Sequence, residues 1–274
     1  MRARRLYFSL QMLRDERTRA QQANLGMYGA FDERTYIGGA PHVKHRELRD
    51  LFAQLAGEAL GNGKSILDVG AGTGLATAPL LGRGLAITAV DSSAPMLERY
   101  RSREPSAEFI VADAAEWIAS CMQRFDLVLL VSMLHHVPDY LSLLQNSAAL
   151  VRSGGSLLTF QDPLRYSSQP RLDRIAEVAS YFSWRVFRGR YRVGLATLSR
   201  RARRVIVLSA PSDFGEYHVV RDGVDSDAIT LQLSGQFSHV RKVCYWATQG
   251  RPQQWLGRVM GLRSYFAVVA TGKR

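Results

Sequence analysis

The chain has 274 residues, and 46% of them are hydrophobic, which is enough for the core of one α/β domain with or without a lid and excludes a mainly disordered protein. The two cysteines, Cys121 and Cys244, are far apart in sequence, so a disulfide framework is excluded and a reducing compartment is indicated. No apolar run reaches the roughly 18 residues of a membrane span, and residues 6–13 are too polar for a signal peptide. Together these features predict a cytoplasmic protein.

The positive charge is concentrated in one segment. The formal net charge is +12, from 36 Lys and Arg against 24 Asp and Glu. Residues 165–204 contain eleven arginines and two acidic residues, Asp173 and Glu177, so eleven minus two leaves +9 in this segment. Such a segment binds phosphate or carboxylate groups, contacts an anionic membrane surface, or forms a solvated face, and the sequence leaves these three interpretations open.

The first 60 residues are predicted to form an N-terminal helical arm or cap. Tyr28 and Tyr36 precede a Gly-Gly-Ala-Pro break, where they either pack under a helix or reach toward a ligand. His42 and His45 are interpreted as surface or capping residues rather than as catalysts. An amphipathic helix after them is predicted from apolar residues at helical spacing, namely Leu48, Leu51, Phe52, Leu55 and Leu60.

Residues 65–75 predict a ligand-binding turn. Its apolar residues indicate a short buried strand, and Gly70, Gly72 and Gly74 then predict a tight turn into a helix, whose free N–H groups suit a carboxylate or phosphate. Glycine also lets a ligand approach the backbone closely. The G-x-G-x-x-G dinucleotide fingerprint does not fit, because Leu75 occupies the place of its third glycine, and no Lys-Ser or Lys-Thr pair of a P-loop follows.

Acidic residues stand at the ends of the first three predicted strands. They are Asp68, Asp91 after residues 87–90, and Asp113 after residues 109–112. Asp91 lies 21 residues after Gly70 (91 minus 70), near the distance at which nucleotide-binding α/β units place an acid on ribose hydroxyls. A single aspartate at such a place is ordinarily a helix cap, but three on successive strands favour a ligand site.

The rest of the chain continues the alternation of strands and helices. Residues 125–131 are apolar except for Asp126, as a strand buried on both faces requires, and residues 156–160 predict a fifth strand. This pattern predicts a parallel sheet with helices on both faces, which binds ligands at the carboxyl ends of its strands. Two helices, over 170–186 with apolar residues on one face and over 192–208, precede two final strands at 239–246 and 264–270.

The motif Asp68-x-Gly70-x-Gly72-x-Gly74 resembles the first motif of class I S-adenosylmethionine-dependent methyltransferases, and the later strand-end acids extend the resemblance. It implies an α/β fold with a doubly wound, mostly parallel, seven-stranded Rossmann-like sheet. The domain organisation predicted with it is an N-terminal helical arm (1–60), an S-adenosylmethionine-binding core (61–163), a basic α-helical lid inserted between strands 5 and 6 (164–235), and C-terminal strands that complete the sheet as an antiparallel hairpin (236–274).

The same resemblance implies the cofactor S-adenosyl-L-methionine and the residues that bind it. Asp113 would accept a hydrogen bond from the exocyclic amine of adenine, the Ala114 backbone would contact a ring nitrogen, and Tyr36 or Tyr28 would fold over the methionine end. The implied cofactor-binding residues are Tyr36, Asp68, Gly70, Ala71, Gly72, Thr73, Gly74, Asp91, Ser92, Met96, Asp113, Ala114 and Ser132.

The segment Leu134-His-His-Val-Pro-Asp139 after the fourth strand is similar to a motif of the branch that methylates sugars, quinone precursors and natural products. A loop histidine can take a proton from an alcohol or phenol, and a carboxylate can orient it, so His135 or His136 with Asp162 is the predicted base pair. His135 is favoured as the base, with the reverse assignment open. The alternative is that one histidine is a buried structural residue and Asp162 a turn former. No metal site is predicted.

The sequence thus predicts methylation of a hydroxyl oxygen on a small molecule. The predicted acceptor is a sugar-bearing, lipid-like or natural-product metabolite, and it is anionic if the arginines bind it. The chain lacks the Asn/Asp-Pro-Pro-Tyr/Phe motif of enzymes that methylate amino groups of bases, and lacks a cysteine after strand 4, so no specific nucleic acid is predicted. Two alternatives stay open: an RNA methyltransferase whose arginines contact phosphates, and a non-catalytic nucleoside-binding protein. The oligomeric state is also open.

Overall fold

A computed structural model of the chain describes residues 15–26, 37–187 and 216–274. Tyr28, Tyr36 and the helix predicted over 192–208 lie outside the described residues. Residues 15–26 are helical. Within the described ranges, no helix combines the length and apolar character that crossing a bilayer requires.

The seven strands form a single sheet. They are β1 (Ser65–Val69), β2 (Ala86–Asp91), β3 (Glu108–Val111), β4 (Phe125–Val131), β5 (Val151–Pro163), β6 (Phe237–Tyr245) and β7 (Tyr265–Lys273). Their order is β3-β2-β1-β4-β5-β7-β6. β7 pairs antiparallel with β5 and β6, and the other pairs are parallel. The predicted doubly wound, mostly parallel sheet is therefore confirmed.

Helices cover both faces of this sheet. They are α1 (Pro41–Lys44), α2 (Arg46–Leu60), α3 (Ala94–Arg101), α4 (Ala114–Ser120), α5 (Tyr140–Ala149), α6 (Arg171–Phe187), α7 (Ser226–Ser234) and α8 (Arg251–Val259). Successive side chains of the central strands point to opposite faces, so Leu67 and Val128 join one core and Ile66 and Leu127 join the other. Burial on both faces explains why residues 127–131 are continuously apolar.

The helix predicted directly after the glycine loop is absent. Residues 75–77 form turns, and a short 3-10 helix, Ala78–Leu80, takes the place of a full helix. Pro79 lies in the first turn of that segment, and Gly82 and Gly84 follow with φ of 68° each, so the chain turns into β2 before a longer helix can form. The expected helix N-terminus at the glycine loop was therefore wrong.

The predicted antiparallel pair of C-terminal strands is confirmed. Residues 246–264 separate β6 from β7, and they contain α8, which the sequence analysis did not predict. α6 and α7 lie between β5 and β6, as the predicted insertion requires. The apolar stripe predicted for α6 is present, but it is exposed, whereas Asp173 and Ser180 on another side of this helix are buried.

Candidate active site

A cavity of about 810 Å³ lies at the carboxyl edge of the sheet, where the loops after β1 to β5 meet helical residues 15–26 and α6. This volume is within the range of small-molecule sites, about 300–1,000 Å³. The predicted site residues on its wall are Asp68, Gly70, Ala71, Gly72, Thr73, Asp91, Ser92, Met96, Asp113, Ala114, Ser132, His135 and His136. Gly74 and Asp162 lie outside this lining, and Tyr36 lies outside the described residues.

Two glycines of the loop after β1 are required by its geometry. Gly70 and Gly74 have φ of 67° and 70°, a region that other residues rarely adopt. A Cβ on Gly70 would collide with the side chain of Met133, and a Cβ on Gly74 would collide with the ring of Tyr100. Gly74 is therefore a packing position rather than part of the cavity wall.

Asp91 joins the loops after β1 and β2. Its Oδ2 accepts a hydrogen bond from the Gly72 backbone N–H at 2.9 Å, and its Oδ1 accepts one from the Ser93 backbone N–H at 2.8 Å. Burial raises the pKa of Asp91, and the two backbone N–H groups oppose that rise. The carboxylate lines the cavity as predicted, and it also holds the glycine loop in place.

Asp68 is a buried carboxyl group at the cavity. The Tyr100 hydroxyl lies 3.3 Å from its Oδ2. Burial raises the pKa of Asp68 to about 7, although hydrogen bonds from Thr77 and Tyr100 oppose the rise. A cation brought into the cavity would favour the ionised form of this carboxyl group.

Asp113 caps α4 and contacts the N-terminal helical segment. Its Oδ1 accepts a hydrogen bond from the Glu116 backbone N–H at 3.0 Å and another from Nη2 of Arg17 at 2.5 Å. Arg17 also lines the cavity, so this ion pair brings residues 15–26 against the loop after β3. No motif in the sequence marks Arg17, and the sequence analysis missed it.

The structure brings His135 and Asp162 together. Asp162 Oδ1 accepts a hydrogen bond from the His135 backbone N–H at 3.0 Å and lies 2.8 Å from Nδ1 of the His135 ring. Asp162 is 0% exposed, and the described residues offer its Oδ2 no hydrogen bond. The carboxylate favours the tautomer with the proton on Nδ1, which leaves the lone pair of Nε2 available.

A β-bulge near the end of β5 changes the direction of its last side chains. The register between β5 and β7 shifts between Phe160 and Asp162, and Gln161 has a φ of 66°. The Gln161 backbone N–H donates to the Tyr245 hydroxyl at 2.9 Å, which satisfies a group displaced from the strand ladder. Gln161 thereby lines the cavity while Asp162 reaches His135.

Opposing effects set the protonation of His135. Burial lowers its pKa, whereas the hydrogen bond and charge of Asp162 and the charge of Glu216 raise it, and the net pKa is above the ordinary value of histidine. Glu216 Oε2 lies 3.8 Å from Nε2 of His135. The site therefore stabilises the imidazolium form of His135. Glu216 follows a segment outside the described residues, and the sequence analysis did not identify it.

His135, His136 and Glu216 also have side chains that bind metals. Their ligand atoms lie within 4.8 Å of one another, and the two imidazole centroids are 4.0 Å apart. Two nitrogen ligands at about 2.0 Å from a tetrahedral zinc ion would be about 3.3 Å apart. Nε2 of His135 and Oε2 of Glu216 are 3.8 Å apart, which is longer than this spacing.

His42 belongs to the cavity wall, so its predicted surface position was wrong. It is 5% exposed, and within the described ranges neither ring nitrogen has a hydrogen-bond partner. Burial and then the charge of His135 lower the pKa of His42 to about 3. His45 occupies the N-cap position of α2, but it is also buried, with Nε2 2.8 Å from the Thr248 carbonyl oxygen. Pro41 begins α1, which turns both histidines inward.

α6 contributes an aromatic and basic wall to the cavity, consisting of Arg174, Glu177, Tyr181, Trp184 and Arg185 among others. Nη2 of Arg185 donates to the Tyr181 hydroxyl at 2.5 Å. The same guanidinium lies 5.0 Å from the Tyr181 ring centroid and 5.3 Å from that of Trp184. This wall is distinct in composition from the glycine loop and the strand-end acids.

The sheet order, the glycine loop and the strand-end acids define the class I S-adenosylmethionine-dependent methyltransferase fold. The chain belongs to the methyltransferase domain family, whose model matches residues 41–201, more than half of the chain.

Relatives and solved structures agree with this assignment. The chain is 33% identical over 98 residues to the ubiquinone biosynthesis O-methyltransferase of Coxiella burnetii, which is 35% of this chain and 42% of that enzyme. It is 32% identical over 165 residues to the trans-aconitate 2-methyltransferase of Paracidovorax citrulli, which is 59% of this chain and 58% of that enzyme. The matched region is therefore less than two thirds of either relative.

Two solved structures share the fold over most of the chain. The N-methyltransferase NodS from Bradyrhizobium japonicum WM9, in complex with S-adenosyl-L-homocysteine, has a TM-score of 0.55 at 14% identity and covers 93% of this chain and 99% of its own. The plantazolicin methyltransferase BpumL, in complex with SAH, has a TM-score of 0.55 at 13% identity and covers 96% of this chain and 99% of its own. At these identities the likeness shows the fold alone.

Proposed function

We propose that this chain transfers a methyl group from S-adenosyl-L-methionine to a hydroxyl oxygen of a small-molecule acceptor. The observation that carries the proposal is the buried pair of His135 and Asp162, with 2.8 Å between Nδ1 and Oδ1, at a cavity that the glycine loop also lines. Membership of the methyltransferase domain family supports it. The two similar structures described above hold the demethylated cofactor.

The residues around the glycine loop fit this cofactor. Gly70 and Gly72 line the cavity, and the Asp68 carboxyl, whose burial raises its pKa to about 7, suits a cationic group. Asp91 is proposed to hold the ribose hydroxyls, and Asp113 to hold the adenine amine. The other proposed contacts are Ala71, Thr73, Ser92, Met96, Ala114 and Ser132, which all line the cavity. When bound, the cofactor supplies an electrophilic methyl group on a sulfonium sulfur.

The proposed base is Nε2 of His135. With its Nδ1–H donated to Asp162, the imidazole accepts the hydroxyl proton of the acceptor at Nε2 and becomes an imidazolium. Asp162 keeps its negative charge and stabilises this imidazolium, and Glu216 adds a second negative charge 3.8 Å from Nε2. His136, whose ring centroid is 4.0 Å from that of His135, is proposed to pack on the cofactor side.

A carboxylate acceptor is a second candidate. Arg174 and Arg185 line the cavity, and a guanidinium can bind a carboxylate through two parallel hydrogen bonds. A carboxylate oxygen carries no proton at neutral pH, so its methylation needs positioning rather than a base. The two candidates therefore differ in whether they need His135.

Calorimetry with S-adenosyl-L-methionine and S-adenosyl-L-homocysteine, followed by a screen of hydroxylated and carboxylated metabolites, tests the proposal. Formation of S-adenosyl-L-homocysteine reports turnover, and His135→Ala separates the two acceptor classes. We expect cofactor binding in both proteins and loss of turnover on hydroxyl acceptors in the variant. A folded sample that binds neither form of the cofactor would refute the proposal. Turnover seen only when RNA is added would show that the acceptor is RNA rather than a small molecule.

A further inference from the structure

α6 and α8 turn their apolar side chains toward solvent. On α6, Leu172 is 57% exposed, Ile175 66% and Phe187 84%. On α8 and the residue after it, the exposed apolar side chains are Trp255 at 59%, Leu256 at 51%, Val259 at 63% and Met260 at 52%. Surface helices of soluble proteins ordinarily direct such side chains inward. Both helices instead bury polar or small residues, namely Asp173 and Ser180 on α6 and Gln254 and Gly257 on α8.

The buried polar groups hold the two helices in this orientation. Gln254 Oε1 accepts a hydrogen bond from the Thr248 backbone N–H at 2.9 Å, and its Nε2 donates to the Trp246 carbonyl at 3.1 Å. Asp173 Oδ2 accepts a hydrogen bond from the Arg263 backbone N–H at 3.2 Å. Rotating either helix to bury its apolar stripe would carry these side chains into water and remove them from their backbone partners, which costs about 1–3 kcal/mol for each partner that stays buried and unpaired.

α6 and α8 contact each other through a polar hydrogen bond. Gln253 of α8 donates from Nε2 to Ser183 Oγ of α6 at 2.9 Å. At about 100° per residue, each of these two residues lies on its helix between the buried residues and the exposed apolar ones. The two exposed apolar stripes therefore flank this contact. We call this combined surface the outer face of α6 and α8.

The charges around the outer face are basic. Arg171 on α6, Arg251 and Arg258 on α8, and Arg263 after α8 are all exposed. α8 contains no acidic residue, and the two acids of α6 point elsewhere, since Asp173 is buried and Glu177 lines the cavity. Exposed Trp, Leu and Val beside arginines are the composition of helices that lie in the interface of an anionic bilayer.

We propose that the outer face of α6 and α8 docks on the surface of an anionic lipid bilayer. The apolar side chains enter the interfacial region, and the arginines contact lipid phosphates. An interface between two protein chains would also bury the apolar residues, but it gives no reason for a rim of arginines without acidic partners on the two helices. An anionic bilayer can bury the apolar side chains in its interface and bind the arginines through its phosphates.

The outer face adjoins the cavity. Val178 lies on the apolar stripe of α6, is 44% exposed, and also lines the cavity. If methyl transfer occurs as proposed above, on which this step rests, an acceptor dissolved in the bilayer reaches the cavity beside α6 without crossing bulk water. The acceptor class is then a lipid-soluble alcohol or phenol.

Vesicle co-sedimentation of the full chain tests the docking without any activity measurement. The probes are vesicles of phosphatidylcholine alone and vesicles of phosphatidylcholine with one third phosphatidylglycerol. We expect binding to the second kind only, with a loss of at least tenfold in Trp255→Asp. Leu231→Asp, at a position on α7 that is 78% exposed, is the matched control and should bind as the parent chain does.

Charge reversal tests the basic rim. One basic residue contributes about 1 kcal/mol at an anionic surface, so Arg258→Glu should reduce vesicle binding by at least about fivefold, whereas Arg83→Glu in the loop before β2 should not. Raising the ionic strength from about 0.1 M to about 1 M shortens the Debye length from about 10 Å to about 3 Å and should weaken binding.

Three outcomes would overturn the docking proposal. The first is no binding to either kind of vesicle, and the second is equal binding to both kinds. The third is a stable dimer that Trp255→Asp converts to a monomer, which would make the outer face an interface between copies of the chain. Calorimetry with S-adenosyl-L-methionine on the same sample separates failure of the docking from failure of the proposed enzymatic function.

Discussion

Replacing Asp162 with Asn tests the role of the carboxylate directly. In the present structure Oδ1 accepts two hydrogen bonds at the His135 residue, and Oδ2 is buried without a hydrogen-bond partner among the described residues. An asparagine can keep its oxygen toward His135, which retains both hydrogen bonds and removes the charge. It then places its NH₂ group where no described acceptor is available, at a cost of about 1–3 kcal/mol in stability. The opposite rotamer turns the NH₂ group toward the ring and favours the tautomer protonated at Nε2, which cannot act as a base.

The size of the rate effect follows from the charge. Two unit charges about 4 Å apart interact by about 4 kcal/mol at an effective dielectric constant of about 20, the value suited to protein sites. The imidazolium exists only after proton transfer, so Asp162 stabilises the transition state more than the ground state. At 1.36 kcal/mol per tenfold change, Asp162→Asn should lower kcat on a hydroxyl acceptor by about a thousandfold.

The assay combines cofactor binding, turnover and the pH profile. Asp162 does not line the cavity, so the affinity for S-adenosyl-L-methionine should change little. In the parent protein, turnover should rise with pH as the medium passes the raised pKa of His135. In Asp162→Asn, burial is no longer opposed by that carboxylate, so the pKa of His135 falls and the rise should occur at lower pH, toward a much lower plateau.

The control for this substitution is Asp50→Asn, which removes one carboxylate at an exposed position of α2 outside the cavity. It should keep kcat within about threefold, since changes at exposed sites without a special role are small. Equal rates in Asp162→Asn and the parent protein, with intact cofactor binding, would refute the base assignment. A carboxylate acceptor or positioning alone would then account for transfer.

Further outcomes concern Asp68, His42 and the glycine loop. Because the pKa of Asp68 is about 7, binding of S-adenosyl-L-methionine should tighten from pH 6 to pH 8 as the competing proton is lost. Calorimetry of Asp68→Asn should show a flat pH profile, and the same pH dependence in this variant as in the parent protein would contradict the role of Asp68. Because the pKa of His42 falls from 6.5 to about 3 on folding, its contribution to stability is present above pH 6.5 and is lost as pH falls toward 3, by about 1.4 kcal/mol per unit. Urea unfolding of His42→Leu should lose less stability on acidification than the parent protein, and an equal loss would exclude this effect. Gly74→Ala should lower the melting temperature more than Gly82→Ala, since both have φ near 70° but only Gly74 faces the Tyr100 ring; equal shifts would show that the contact is unimportant.

The sheet was predictable because its strands are buried on both faces and alternate with helices. The continuous apolar run at 127–131 indicated a place for β4 at the centre of a parallel sheet. The meeting of His135 and Asp162 followed from the same rule, because His135 lies in the loop after β4, Asp162 lies near the end of the neighbouring β5, and carboxyl ends of parallel strands share one edge. Their proposed catalytic role stays a prediction.

The parts that were missed depend on long-range contacts. Arg17 meets Asp113, 96 residues away, and Glu216 meets His135 across an insertion. Hydrophobic periodicity correctly gave α6, but periodicity alone does not say whether an apolar stripe faces the core or the solvent. That choice depends on the hydrogen bonds of Asp173 and of Gln254, which only the folded chain shows.

Backbone strain is concentrated at the proposed base pair. Within the described ranges, the residues other than glycine that have positive φ are Ser132, at 55°, and Gln161, at 66°. They follow β4 and lie at the bulge of β5, and the Ser132 backbone N–H donates to the carbonyl of Phe160 at 2.7 Å, which joins the two strained positions. Conformations of this kind cost about 1–3 kcal/mol each and persist where the surrounding structure enforces them. Relaxing Gln161 into a regular strand would remove the bulge that brings Asp162 to His135. The contact between Asp162 and His135 therefore depends on the strained backbone of Gln161.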